Sequence, residues 1–119
     1  MLQKLLLPRI AWVRWCCSRV ALEVGAKASF SRPLSQADVD AFTALSGDSN
    51  PVHRGPKAVV HGALLNALVS CAMGTKMPGP GSMVTSQTIK YPNPCHAGEW
   101  VTVINLMFLI GIKVGKIET

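Results

Sequence analysis

An α+β fold is predicted, with an antiparallel sheet packed about one central helix. Two observations point to it. Residues 61–73 are almost all apolar or small, as a helix buried on most sides requires. The flanking segments instead alternate or run β-branched, as strands do. The 119 residues are enough for one core and too few for two domains.

Taken in order, residues 27–32 alternate like a strand and Pro33 ends it. Ser35 offers a helix N-cap, with Asp38 three residues on completing a capping-box-like start, and Val39, Phe42 and Leu45 recur on one helical face. Gly47 stops that helix. The helix over 61–73 has Gly74 placed as its C-cap and Pro78 beyond. Gly62, Asn66 and Ser70 recur every four residues on it. That stripe suits either close packing against a sheet or the lining of a site. Residues 82–91 alternate and 99–109 are apolar and β-branched, so two strands are expected, joined across residues 92–98.

Charge is unevenly placed. The net charge is +6, but Lys4, Arg9, Arg14 and Arg19 fall in an acid-free opening segment, and from Glu23 onward eight basic residues face six acidic ones. Phosphate recognition needs clustered cations on the folded part, so the balance argues against nucleic acid as a partner. The opening segment, residues 1–22, fits a mitochondrial transit peptide, although Pro8 would kink its helix. A secretory signal and an ordinary amphipathic surface helix are the rival readings; Arg9 and Arg14 interrupt the apolar core that a secretory signal needs. No membrane span is expected, because the apolar run 101–112 is about half the ~20 residues required. Cys71 and Cys95 lack the paired spacing of a zinc site or disulfide framework. In a reducing matrix they are expected as free thiols.

The chemistry concentrates in Ser46-Gly47-Asp48-Ser49-Asn50-Pro51-Val52-His53. Gly47 and Pro51 exclude helix and strand, and Asn50 before proline is pushed to extended or turn geometry. The loop could therefore fold back and bring Asp48 and His53 onto one atom, an acid and a base for removing a proton and a hydroxyl from adjacent carbons. Gly-Asp and Asn-Pro are also ordinary turn dipeptides, and spacing alone does not separate the two readings.

This run resembles the signature loop of the MaoC-like, (R)-specific enoyl-thioester hydratases and dehydratases. Further motifs follow in the same order: Val60-His61-Gly62-Ala63-Leu64-Leu65, Pro78-Gly79-Pro80-Gly81-Ser82 and Pro94-Cys95-His96-Ala97-Gly98-Glu99-Trp100-Val101. With Val20-Ala21-Leu22-Glu23-Val24-Gly25, the chain is most similar to the mitochondrial hydroxyacyl-thioester dehydratase type 2 branch. The resemblance spans roughly residues 20–103 and implies a hot-dog fold, in which the sheet wraps the central helix. It implies interconversion of a (3R)-hydroxyacyl thioester and a trans-2-enoyl thioester on acyl carrier protein or coenzyme A, in the mitochondrial matrix, by a homodimer. Neither cofactor nor metal is expected. His53 matches the base, Asp48 the partner that protonates the leaving hydroxyl, and Gly62 the backbone N–H that steadies the thioester oxygen. Ser70 matches a serine lining the site in some bacterial members. His61 is expected to orient the helix start, and Asn50 to fix the turn.

Two departures from the family pattern are expected to matter. Only seven residues separate His53 from His61, so cover over the acyl tunnel is shortened. After residue 109 the pattern is lost, so the domain of residues 23–119 is read as incomplete at its C-terminus. The alternative function is a non-catalytic hot-dog isoform that binds acyl thioesters or pairs with a full-length homologue. An RNA-binding accessory role rests on basic composition alone.

Overall fold

The computed structural model describes residues 23–108 and 111–118; the transit-peptide expectation lies outside them. Strand β1 (Lys27–Pro33), helix α1 (Gln36–Ser46), a 3₁₀ turn (Pro51–His53), helix α2 (Gly62–Thr75), strand β2 (Trp100–Phe108) and strand β3 (Gly111–Glu118) follow one another. The strands form one antiparallel sheet in the order β1-β2-β3.

Pro33 closes β1 as expected, still paired with Trp100 at the strand's end. Ser35 then caps α1. Its Oγ accepts from the Asp38 N–H at 3.2 Å, and Asp38 Oδ2 accepts from the Ser35 N–H at 2.8 Å and its hydroxyl at 2.9 Å. These bonds, helped by Arg32 at 3.0 Å, hold the Asp38 carboxyl below its ordinary pKa of 3.8. Ser35→Ala is expected to cost ~1 kcal/mol at neutral pH by chemical denaturation. A lowered folded pKa contributes stability above the ordinary value and loses it as pH falls through the folded one, so the deficit should shrink below pH 3.8. Gly47 ends the helix at φ 76°, its N–H donating to the Thr43 carbonyl at 2.9 Å.

Four expectations are corrected. Val39 is fully buried and Phe42 and Thr43 half-buried, but Leu45, in the last turn beyond them, is 83% exposed. The central helix runs through Gly74 to Thr75. The left-handed glycine that turns the chain is Gly79, whose N–H donates to the Met73 carbonyl at 2.9 Å. Third, α2 buries one stripe, Leu65, Leu68, Val69 and Ala72, and leaves Ala63, Ala67, Ser70 and Cys71 exposed, since β1 and β2 pack against one face. Each buried Leu or Val contributes about 1.5–3 kcal/mol, more than a cap, and α2 has no side-chain cap. Packing therefore holds this helix. Finally, residues 82–91 form no strand. They are mostly exposed and are tied back to α2 by Ser82 Oγ on the Met73 carbonyl (3.0 Å) and Tyr91 Oη on the Gly62 carbonyl (2.8 Å).

The strand expected over 99–109 is β2. Val101, Val103 and Asn105 alternate inward and join Leu34, Val39, Val60 and Cys95 in the core around α2. Asn105 Nδ2 donates to the Met77 carbonyl at 3.1 Å, tying β2 to the segment after α2. Residues 111–118, which the sequence pattern left unassigned, pair with β2 as β3, with a register shift between Thr102 and Ile104. Cys71 is exposed and Cys95 buried, both free. Burial, then the neighbouring Glu99 charge, pushes the Cys95 thiol up to about 11. At pH 8 only ~0.1% of it would be thiolate, so alkylation mapped by mass spectrometry should mark Cys71 well before Cys95.

Candidate active site

The loop after α1 folds back on itself. Ser46 Oγ takes the Asp48 N–H at 3.2 Å, Asp48 Oδ1 takes the Asn50 N–H at 3.1 Å, and Asn50 Oδ1 takes the Val52 N–H at 3.3 Å. Asn50 thus fixes the turn, as expected. One carboxylate oxygen of Asp48 is spent on the backbone, leaving Oδ2 to face 3.4 Å to His53 Nε2 and 3.9 Å to His61 Nε2. Asp48 is about half exposed, while His53 and His61 are buried.

His53 sits at the end of the 3₁₀ turn. The short segment to His61 returns at once: the Val59 N–H donates to the Val52 carbonyl (2.9 Å), and Val60 and Ala97 bond across to the carbonyls of Cys95 and Ala58. This brings the Val59 carbonyl to 2.6 Å from His53 Nδ1. A carbonyl only accepts, so Nδ1 carries the hydrogen and Nε2 is the basic nitrogen facing Asp48. Asp48 and His53, the pair expected from the sequence, are therefore adjacent, with the hydrogen of His53 on Nδ1 and Nε2 toward the carboxylate.

Gly62 opens α2. Its N–H is a first-turn donor without an intrahelical acceptor, and the preceding cap residue, His61, offers it no side-chain bond. Tyr91 packs on it so closely that a Cβ at Gly62 would lie 3.0 Å from the ring. Ser70 lies eight residues along the same helix, ~12 Å of rise, and is exposed; it is not in the Asp48–His53–His61 cluster.

The donor atoms of Asp48, His53 and His61 lie within 4.8 Å of one another. The two imidazoles are stacked, centroids 3.6 Å apart and planes 20° from parallel. Their in-plane lone pairs run side by side, so both rings cannot ligate one ion at ~2 Å without unstacking. The cluster suits proton transfer better than metal binding.

Thr43 and Tyr91 carried no sequence signal, being single polar residues outside any motif. They reach the site only through folding, Thr43 Oγ1 at 3.3 Å from His61 Nε2 and Tyr91 over Gly62.

Comparison with known proteins gives the same lineage. No family model matches the chain. It is 39% identical to the (R)-specific enoyl-CoA hydratase of Aeromonas caviae, over 71% of this chain and 70% of that protein. The chain belongs to the MaoC-like (R)-hydratase family. The solved (R)-hydratase of A. caviae, described as involved in PHA biosynthesis, superposes with a TM-score of 0.70 at 37% identity, over 74% of each chain. The fold is therefore the hot-dog fold expected from the resemblance. The mitochondrial 3-hydroxyacyl-[acyl-carrier-protein] dehydratase of Arabidopsis thaliana is 27% identical over 98% of this chain and 75% of its own length. Among the described residues of this (R)-hydratase relative, no helix is long and apolar enough to cross a membrane.

Proposed function

We infer that this chain is a hydro-lyase that interconverts (3R)-hydroxyacyl and trans-2-enoyl thioesters, with Asp48 and His53 as its acid and base. The observation that carries this reading is the His53 Nδ1–H bond to the Val59 carbonyl, which turns Nε2 toward Asp48 Oδ2. In dehydration His53 Nε2 takes the proton from the carbon beside the thioester carbonyl, and Asp48 gives its proton to the departing hydroxyl, which leaves as water. The pair begins and ends with one proton, moved from Asp48 to His53, and transfer across the 3.4 Å gap resets it. In hydration Asp48 accepts from water and His53 protonates the carbon. Negative charge building on the thioester oxygen is met by the Gly62 N–H at the positive end of α2. Ser70, exposed on α2, enters the proposal as part of the acyl-binding wall only through its match to a site-lining serine of some bacterial relatives.

The finer reading places this reaction in mitochondrial fatty acid synthesis, in the matrix, on acyl carrier protein or coenzyme A thioesters. The acid-free basic segment 1–22 and the Arabidopsis relative support it. A homodimer is part of the proposal, since Leu45, Met83 and Trp100 are large apolar side chains exposed on the single chain. Supplying a short trans-2-enoyl-CoA to the full chain and following loss of the enoyl absorbance tests the activity. Turnover is expected; a folded chain with none would overturn it.

A further inference from the structure

His61 is nearly fully buried, 3% exposed, and its ring has two aromatic neighbours. His53 stacks on one face at 3.6 Å, and Phe42 meets it at 4.9 Å with the planes tilted by 57°. Its backbone carbonyl is bonded as well, taking the Leu64 and Leu65 N–H groups at the start of α2. The His61 backbone is thus fixed at the start of α2, and its ring is packed against Phe42 of α1 and against His53. Nε2 lies 3.3 Å from Thr43 Oγ1, while Nδ1 is buried without a partner. An orphaned buried N–H is rarer than an orphaned acceptor, so the hydrogen belongs on Nε2, directed to Thr43 and the Asp48 Oδ2 edge.

Within the cluster, His61 is the group that packs on the flat face of the His53 ring. The Nδ1–H bond to Val59 and the 3.4 Å contact of Nε2 with Asp48 Oδ2 both act at the ring's edge rather than on its flat face. The geometry points to His61 as a positioning residue: its flat face is the wall on which the catalytic base is aligned. This rests on the proposed roles of Asp48 and His53.

The test uses His61→Ala, His61→Phe and His61→Gln in the full chain, with Asp48→Asn beside them. A reacting group misplaced by about 1 Å costs ~100-fold, so His61→Ala and His61→Gln, which lack a ring, should each lose ~100-fold in kcat with KM within ~3-fold. His61→Phe keeps the wall and should return to within ~5-fold of wild type. Long-range 1H–15N spectra of His53 give a second readout. A single Nδ1–H pattern is expected in the wild type and His61→Phe, and a mixture in His61→Gln. If His61→Ala does not fold, the Phe and Gln variants carry the comparison. The inference is overturned if a folded His61→Ala stays within ~3-fold of wild type, or if Phe restores no more than Gln. Asp48→Asn separates the two claims: its loss of activity beside an unaffected His61→Ala removes only the role of His61. If the wild type shows no turnover, the His53 spectra decide, and an unchanged pattern in His61→Gln overturns the inference.

Discussion

Asp48→Asn is expected to lower kcat on a trans-2-enoyl thioester by ~10²–10⁴-fold while leaving the unfolding temperature nearly unchanged. The substitution is close to isosteric, and the new amide oxygen can still take the Asn50 N–H that Asp48 Oδ1 takes now. Only the proton at Oδ2 is lost. His53→Ala should lose at least as much activity but also some stability, because it empties a buried site and leaves the Val59 carbonyl without its donor. Steady-state kinetics with parallel thermal melts check both. An Asp48→Asn variant that melts normally and retains full turnover would remove the acid role of this carboxyl.

Replacing Gly62 by proline gives the second large effect. The first position of a helix tolerates proline, since its N–H has no intrahelical acceptor, and His61 before it already has φ −57° and ψ 130°, the geometry a following proline wants. What disappears is the N–H proposed to meet the thioester oxygen. Because any Cβ at Gly62 would press on Tyr91 at 3.0 Å, the comparison belongs in a Tyr91→Ala background, with Gly62→Ala as the control that adds a Cβ but keeps the N–H. Proline should fall ~10²–10³-fold below alanine in kcat, the loss seen when one oxyanion donor is deleted. Equal rates in the two would place the oxyanion elsewhere.

The parts of the fold legible in the sequence are those whose causes are local. Ser35 and Asp38 mark the start of α1 because a capping box is written within four residues, and Gly47 marks its end because the left-handed turn needs a residue without a Cβ. The Asp48–Asn50–Val52 turn is likewise encoded by its own side chains. The failures have tertiary causes. Residues 82–91 alternate, yet alternation makes a strand only where a neighbouring strand takes its backbone bonds, and here the segment is instead tied to α2 at its two ends by the side chains of Ser82 and Tyr91. Leu45 fits the helical period, but α1 reaches past the core before it. At the site, Asp48 and His53 were legible as a pair because one loop carries both. The stacking of His61 on His53 was not, since it depends on the Val59 return that only the folded chain makes.

The most direct test of an acid and base held on one loop is the stereochemistry of water addition. The full chain would be given a trans-2-enoyl thioester in deuterated water, and the product's configuration read at both carbons. Asp48 and His53, 3.4 Å apart, should deliver hydroxyl and deuterium to the same face and give the (3R)-hydroxyacyl thioester alone. A (3S) product, or deuterium on the opposite face, would contradict the shared loop as the source of both.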